Sequence, residues 1–421
     1  MDKLVIEGGR SLKGEVEVSG AKNAALPIMA ATILTDEPCL IKSVPLLRDV
    51  QTMLKLLRAL GIKAEWEKGT VFVEPQSSRK FVAPYNLVKT MRASVCVLGP
   101  LLAKLRNAKV SMPGGCIIGH RPIDLHLKGL GCLGADINIE HGYIVAKAKR
   151  LRGVRLYLGG AFGSSVLATA NVVMAATLAE GKTIIENVAC EPEIVDLAEF
   201  LIKMGAKIKG VCTHIMEIEG VKALHGAQHT IISDRIEAGT YMIASAITGG
   251  DVIVKNACAE HLGSIIDALT CAGIDVSYVR SGGLRIRKRR SLKPVNVTTL
   301  PFPGFPTDMQ AQMMALMTVT QGISVITEKI YPDRFMHVAE LNRMGAEIIL
   351  EGNSAIVKGV KHLSGAPVMA SDLRASAALV LVGLVARGKT EISRIYHLDR
   401  GYENIEAKLS ELGAKIWREK E

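Results

Sequence analysis

Cations stand where helices normally place an oxygen. Lys22, Arg92, Arg235 and Arg374 open stretches of small apolar residues that read as buried helices. A cation there opposes the helix macrodipole by about 0.3–1 kcal/mol. Ser165, Asp234, Asp308 and Asp372 stand at equivalent places and suit capping of free N–H groups. Unfavourable cations facing a common cleft make sense around an anion, because helix N-termini and guanidinium forks match phosphate and carboxylate. A phosphate-rich ligand between domains is therefore expected. Arg334 in IYPDRFMHV and Arg400 in HLDRGYENI are further anion ligands in equivalent loops. Asp308 in FPTDMQAQ is the general-base candidate, with a plain helix cap as its alternative. The loop KVSMPGGCIIGHRPIDLHLKGLG places Cys116 behind Pro113, Gly114 and Gly115. A thiol in a permissive turn near cations has a lowered pKa and can serve as acid or nucleophile. The alternative is a small buried apolar residue. Arg121, Pro122 and Asp124 follow at once, an anion ligand and an acceptor for donors on a base or sugar.

The elements that must position these groups repeat. A helix end, a glycine and a strand recur at Gly61, Gly134, Gly205, Gly273, Gly345 and Gly413, about 70 residues apart. The stretches beginning GAKNAALP, TMRASVCV, SSVLATAN, DRIEAGTY, TDMQAQMM and SDLRASAA keep the same period. Each is apolar all round, as a fully buried helix must be. Segments such as VIEGGRSLKGEVEV, EIEGVKALHGAQHTI and IVKGVKHLSGAPVMA read as β-hairpins between the two markers. One unit cannot cover its own sheet, so three should share a core, giving an α/β protein of two domains with three repeats each. The first and last strands each lack a partner and should pair with each other. Residues 1–21 and 230–421 then form one discontinuous domain, with 22–229 inserted into it.

Composition bounds the function. Apolar residues make up 48% of the 421 and aromatics only 4%, which suits thin helix-on-sheet layers. No apolar run reaches the ~18–20 residues of a membrane span and the N-terminus lacks a signal-peptide core, so a cytoplasmic protein is expected. The eight cysteines are scattered without metal-ligand spacing, and buried reduced thiols are expected for most of them. A net charge of +11 invites a nucleic-acid role. Against it, the cations are dispersed and stacking aromatics are scarce. RIRKRRSLK at 285–293 reads as a solvated strand edge and turn.

The blocks SGAKNAALP, PGGCIIGHRPIDLH, FPTDMQAQ, DRFMHVAELNRMGA, DLRASAALV and HLDRGYENIE, in this order from end to end, resemble the UDP-N-acetylglucosamine 1-carboxyvinyltransferase family of enolpyruvyl transferases. The resemblance implies an inside-out α/β barrel, two domains, and no metal or organic cofactor. It implies phosphoenolpyruvate and UDP-N-acetylglucosamine as substrates, in the first committed step of peptidoglycan synthesis. Lys22, Asn23, Arg121, Arg334, Arg374 and Arg400 match phosphoenolpyruvate ligands of the family. Arg92, Arg121, Pro122, Ile123, Asp124, Leu125, Ser165, Val166, Asp308 and Ile330 match its UDP-sugar contacts. Cys116 matches the proton-donating loop cysteine, so inhibition by fosfomycin is expected. Gly163 and Leu167 depart from the family, where Lys and Gly are common, and weaken the nucleotide assignment at 163–166. The alternative within the fold is 5-enolpyruvylshikimate-3-phosphate synthase. The alternative outside it is a basic nucleic-acid-binding or RNA-end-processing repeat protein.

Overall fold

The computed structural model describes residues 2–76, 79–113, 123–161, 163–280 and 282–420. The chain divides into two compact units, one of Met1–Ser19 with Ser233–Glu421, the other of the described residues from Gly20 to Ile232.

Each unit is an inside-out α/β barrel, with helices in the core and sheets around them. In the unit that holds Gly20–Ile232, the helices Lys22–Ala31, Leu98–Leu105 and Val166–Ala176 are almost wholly buried. In the other, Arg235–Thr248, Gln310–Thr318 and Leu373–Gly383 take the same role. Their small, apolar surfaces allow close packing from every side. Among the described residues there are six four-stranded sheets of one pattern. In one, Pro367–Met369 runs parallel to Lys389–Ser393, which pairs antiparallel with Asp2–Glu7, and that strand with Lys415–Lys420. The two terminal strands thus pair, Asp2 opposite Lys420 through Glu7 opposite Lys415.

Four expected features differ. The GG and GV segments are not hairpins. Asp2–Glu7 and Lys13–Glu17 lie in different sheets, as do Ile215–Glu219 and Gln228–Thr230, and Ser354–Lys358 and Pro367–Met369. The cause is a close approach at one glycine. A Cβ on Gly220 would lie 1.6 Å from the Ala179 carbonyl oxygen, and one on Gly359 equally close to that of Thr320. The chain is pinned over the end of a buried helix and carried to the neighbouring sheet. True hairpins form instead at Lys68-Gly69 and His141-Gly142, where both residues have positive φ, as a type I′ turn requires.

The helix expected from Arg92 begins as a 3₁₀ turn, Arg92–Val97, before the α-helix Leu98–Leu105. Asn171 breaks the α ladder there, its Oδ1 accepting the Gly99 N–H at 2.7 Å and its Nδ2 donating to the Val95 carbonyl at 2.9 Å. Pro100 has no N–H to offer.

The basic run is not a strand edge. Leu284–Lys288 is an inner strand, flanked by Ile274–Tyr278 and Asp251–Lys255. Arg285 makes two 2.7 Å bonds to Asp251, while Arg287 and Arg289 pair with Asp275. Carboxylates thus pair locally with three arginines of the run. Cysteine burial is also lower than expected: Cys39, Cys96 and Cys190 are buried, but Cys132, Cys212 and Cys271 are exposed at helix ends and a turn. No helix among the described residues is long and apolar enough to cross a membrane.

Candidate functional site

Asp308 is not a helix cap. It sits in the 3₁₀ turn Thr307–Met309 ahead of Gln310–Thr318, and its carboxylate faces two buried arginines. Oδ1 accepts from Arg334 Nη1 at 2.8 Å and Oδ2 from Arg374 Nη2 at 2.9 Å. The arginine side chains are 6% and 3% exposed, against 26% for Asp308. Burial pushes the Asp308 carboxyl up, but the charges of Arg374 and Arg334 outweigh it and hold the group well below the usual carboxylate range. Burial likewise opposes charge on Arg374, and Asp308 more than restores it.

Three local devices hold this cluster. Asp372, the cap of Leu373–Gly383, accepts from the backbone N–H groups of Arg374 and Ala375 at 2.8 and 3.1 Å, which fixes the helix start. Gln312 Nε2 donates to the Asp308 carbonyl at 2.9 Å and to Tyr402 Oη at 3.2 Å. The Tyr402 ring lies 5.6 Å from the Arg374 guanidinium carbon, a cation–π contact. Arg374 Nε and Nη1 have no hydrogen-bond partner among the described residues. Arg400 closes the 3₁₀ turn Ile395–Arg400 in the same unit. Burial, then Arg400, lowers the pKa of His397, while Asp372 opposes them. Ile330 donates its N–H to Glu328 in the loop that leads to Arg334.

The other unit carries the remaining groups. Lys22, first in its helix, pairs with Asp49 at 3.1 Å, with both side chains buried, so the cost of a cation at this helix start is offset locally. Asn23 follows, half-buried. Ser165 caps Val166–Ala176 through the Ala168 N–H at 3.4 Å. Ile123 precedes the helix Asp124–Cys132, with Asp124 exposed and Leu125 buried toward Gly160. Gly163 has φ +86°, a conformation that favours glycine. Leu167 packs against the core. Cys116, Arg121 and Pro122 lie outside the described residues.

Arg92 lies close enough to the buried His126 to act on its charge. His126 Nδ1 is 2.8 Å from Asn171 Nδ2. Because Asn171 Oδ1 is taken by the Gly99 N–H, Nδ2 must donate, so His126 Nδ1 accepts and the ring is neutral with its proton on Nε2. Burial first, and Arg92 second, push its pKa down to about 3. A pKa lowered on folding stabilises fully above the unfolded value, about 6.5, and that stability is lost as pH falls toward the folded value. The urea midpoint should therefore fall from pH 6.5 to pH 5, with the contribution of His126 rising to about 1.4 kcal/mol per pH unit at the acid end. His126→Asn keeps an acceptor for Asn171 and should flatten this slope. An unchanged slope would exclude His126 as its source.

The sequence missed Asp49, Glu328, Tyr402 and the His126–Asn171 pair as members of these clusters. Their signal is tertiary: each is an ordinary polar residue until a partner at least 21 positions away is known to be adjacent.

Comparison with known proteins decides the family. Residues 6–409 match the family model EPSP synthase (3-phosphoshikimate 1-carboxyvinyltransferase). The chain is 55% identical over 416 residues to UDP-N-acetylglucosamine 1-carboxyvinyltransferase 1 of Caldanaerobacter subterraneus subsp. tengcongensis, covering 99% of both. It is 56% identical over 421 residues to the UDP-N-acetylglucosamine 1-carboxyvinyltransferase of Geotalea uraniireducens, covering all of both. The chain belongs to the UDP-N-acetylglucosamine 1-carboxyvinyltransferase family. The enolpyruvyl transferase NikO from Streptomyces tendae superposes with a TM-score of 0.89 at 24% identity, over 99% of this chain and 98% of that one. An EPSP synthase from Acinetobacter baumannii gives 0.76 at 18% identity, over 100% of both chains. These two likenesses establish the enolpyruvyl transferase fold, while the family rests on the two carboxyvinyltransferases.

Proposed function

We propose that the chain transfers the enolpyruvyl group of phosphoenolpyruvate to the 3-hydroxyl of UDP-N-acetylglucosamine, releasing phosphate, in the first committed step of peptidoglycan synthesis. The observation that carries the reading is the Asp308 carboxylate between Arg334 and Arg374, in a chain about 55% identical to named carboxyvinyltransferases along its whole length. Two N–H-bearing nitrogens of the buried Arg374 remain for an anion, since buried donors left unpaired are costly.

In the proposed reaction Asp308 takes the proton of the sugar 3-hydroxyl as that oxygen attacks C2 of phosphoenolpyruvate, and Cys116 delivers a proton to C3. The tetrahedral intermediate then loses a proton from C3 as its bond to phosphate breaks. Lys22, Arg121 and Arg400 hold the departing phosphate, where charge accumulates. Asn23, Arg334 and Arg374 hold phosphoenolpyruvate, while Arg92, Ile123, Asp124, Leu125, Ser165, Val166 and Ile330, with Pro122, contact the UDP-sugar.

Asp308 is a weak base while both arginines hold it. In this mechanism the anionic substrate draws the guanidinium groups toward itself, so Asp308 gains basicity only once phosphoenolpyruvate has arrived. Both substrates are cytoplasmic metabolites, so action in the cytoplasm is part of the proposal. Phosphate release tests the acceptor: UDP-N-acetylglucosamine should support it and shikimate 3-phosphate should not. The reverse preference would assign the chain to the 3-phosphoshikimate branch that its family model is named for.

A further inference from the structure

Glu328 carries a carboxylate with 0% exposure, and no lysine or arginine pairs with it among the described residues. A buried charge of this kind costs several kcal/mol unless hydrogen bonds satisfy it. Four donors do so. Oε1 accepts from Thr299 Oγ1 at 2.6 Å and from the backbone N–H groups of Ile330 and Tyr331 at 2.8 and 3.0 Å. Oε2 accepts from the Thr307 hydroxyl at 2.8 Å.

The Thr307 bond reaches the active site. A hydroxyl has one proton, and here it goes to Glu328, so the Thr307 oxygen presents its lone pairs elsewhere. Arg334 Nη1 uses them at 2.9 Å and also donates to Asp308 Oδ1 at 2.8 Å. Both protons of Nη1 are thereby directed, one to Thr307 and one to the general-base candidate. Asp308 is also the residue next to Thr307 in the chain.

We infer that Glu328 is a positioning residue for the transfer reaction, acting through the Thr307 hydroxyl to fix the Arg334 guanidinium against Asp308. This inference rests on the role proposed for Asp308. The Oε1 branch ties down the backbone of the loop that ends at Arg334, and the Oε2 branch aims the side chain. Neutralising Glu328 reverses the polarity at Thr307, because an amide NH₂ would donate to the hydroxyl and free its proton from Glu328.

Steady-state kinetics of the full chain test this. Thr307→Val keeps the shape but cuts the Oε2 branch. It should lower kcat about 10–100-fold, the size expected when a catalytic group is misplaced by about 1 Å, with KM for the UDP-sugar moving less than about threefold. Thr307→Ser restores the hydroxyl and should return kcat to within about threefold. In an Asp308→Asn background the loss caused by Thr307→Val should shrink to less than about threefold, because the group it positions is already gone. A wild-type kcat in Thr307→Val, or an equal loss in both backgrounds, would overturn the inference. If Thr307→Val lacks a cooperative melting transition, Glu328→Gln takes its place in the same comparison with the same two criteria. Asp308→Asn with full turnover sinks the general-base reading itself. A dead Asp308→Asn beside an unaffected Thr307→Val sinks only the role of Glu328.

Discussion

Asp308→Asn is expected to lower kcat by about 10²–10⁴-fold, the range in which a positioned general base contributes, while UDP-sugar binding is largely kept. The amide preserves shape and can still accept a hydrogen bond from one arginine. It cannot take a proton, and it removes the negative charge shared by Arg334 and Arg374. Breaking a fully buried ion pair costs about 3–5 kcal/mol, but the Asp308 carboxylate is 26% exposed, so solvent screens part of that loss. Because the folded-state pKa is depressed, the stability that Asp308 contributes is present above the unfolded value near 4 and is lost as pH falls through the folded value. Asn should therefore remove an acid-side dependence and leave pH 6–8 flat for this group. Calorimetric binding together with kcat separates the two roles. A variant with raised KM and intact kcat would mean that Asp308 positions the substrate and does no proton transfer.

Cys116→Asp should remain active and escape inactivation by fosfomycin, whereas the wild-type chain should be inactivated with one adduct on Cys116. A thiolate attacks an epoxide carbon readily, while a carboxylic acid donates a proton but is a poor nucleophile toward the ring. The UDP-sugar should accelerate the inactivation. The other cysteines sharpen the test. Cys132, Cys212 and Cys271 are exposed, so exposure alone would let them compete. Cys96 is fully buried, and burial pushes its pKa up to about 12, so it should be inert. Mass spectrometry of the treated protein locates the adduct. Modification at an exposed cysteine in place of Cys116, or equal sensitivity of the Asp variant, would remove Cys116 from the mechanism.

The fold was legible wherever period and composition speak for themselves. Six glycines and six all-apolar helices, both spaced about 70 residues apart, mark six repeats, and the two unpartnered terminal strands indicate their own pairing. Strand partners elsewhere were not legible. Whether Lys13–Glu17 folds back on Asp2–Glu7 or crosses to Asp251–Lys255 depends on how closely Gly8 and its equivalents approach a helix end, and no local pattern encodes that distance. Asn171, which interrupts the ladder of a helix 72 positions away, is equally invisible in the sequence.

The site divides along the same line. Cations at helix starts identified Arg374, and loop equivalence identified Arg334. Their convergence on Asp308 makes that residue an ion-pair partner, not the helix cap that the sequence kept as its alternative. Glu328 lay beyond reach, because its four donors come from three separate segments.

The proposed reaction makes a carbon–oxygen bond between C2 of phosphoenolpyruvate and the sugar 3-oxygen. Incubating the chain with UDP-N-acetylglucosamine and phosphoenolpyruvate labelled with carbon-13 at C2 tests it directly by NMR. The label should appear in an enol ether coupled to the proton on sugar C3, with one phosphate released for each ether formed. Label left in phosphoenolpyruvate, or attached at another sugar position, while shikimate 3-phosphate accepts it, would exclude transfer to the 3-oxygen of UDP-N-acetylglucosamine.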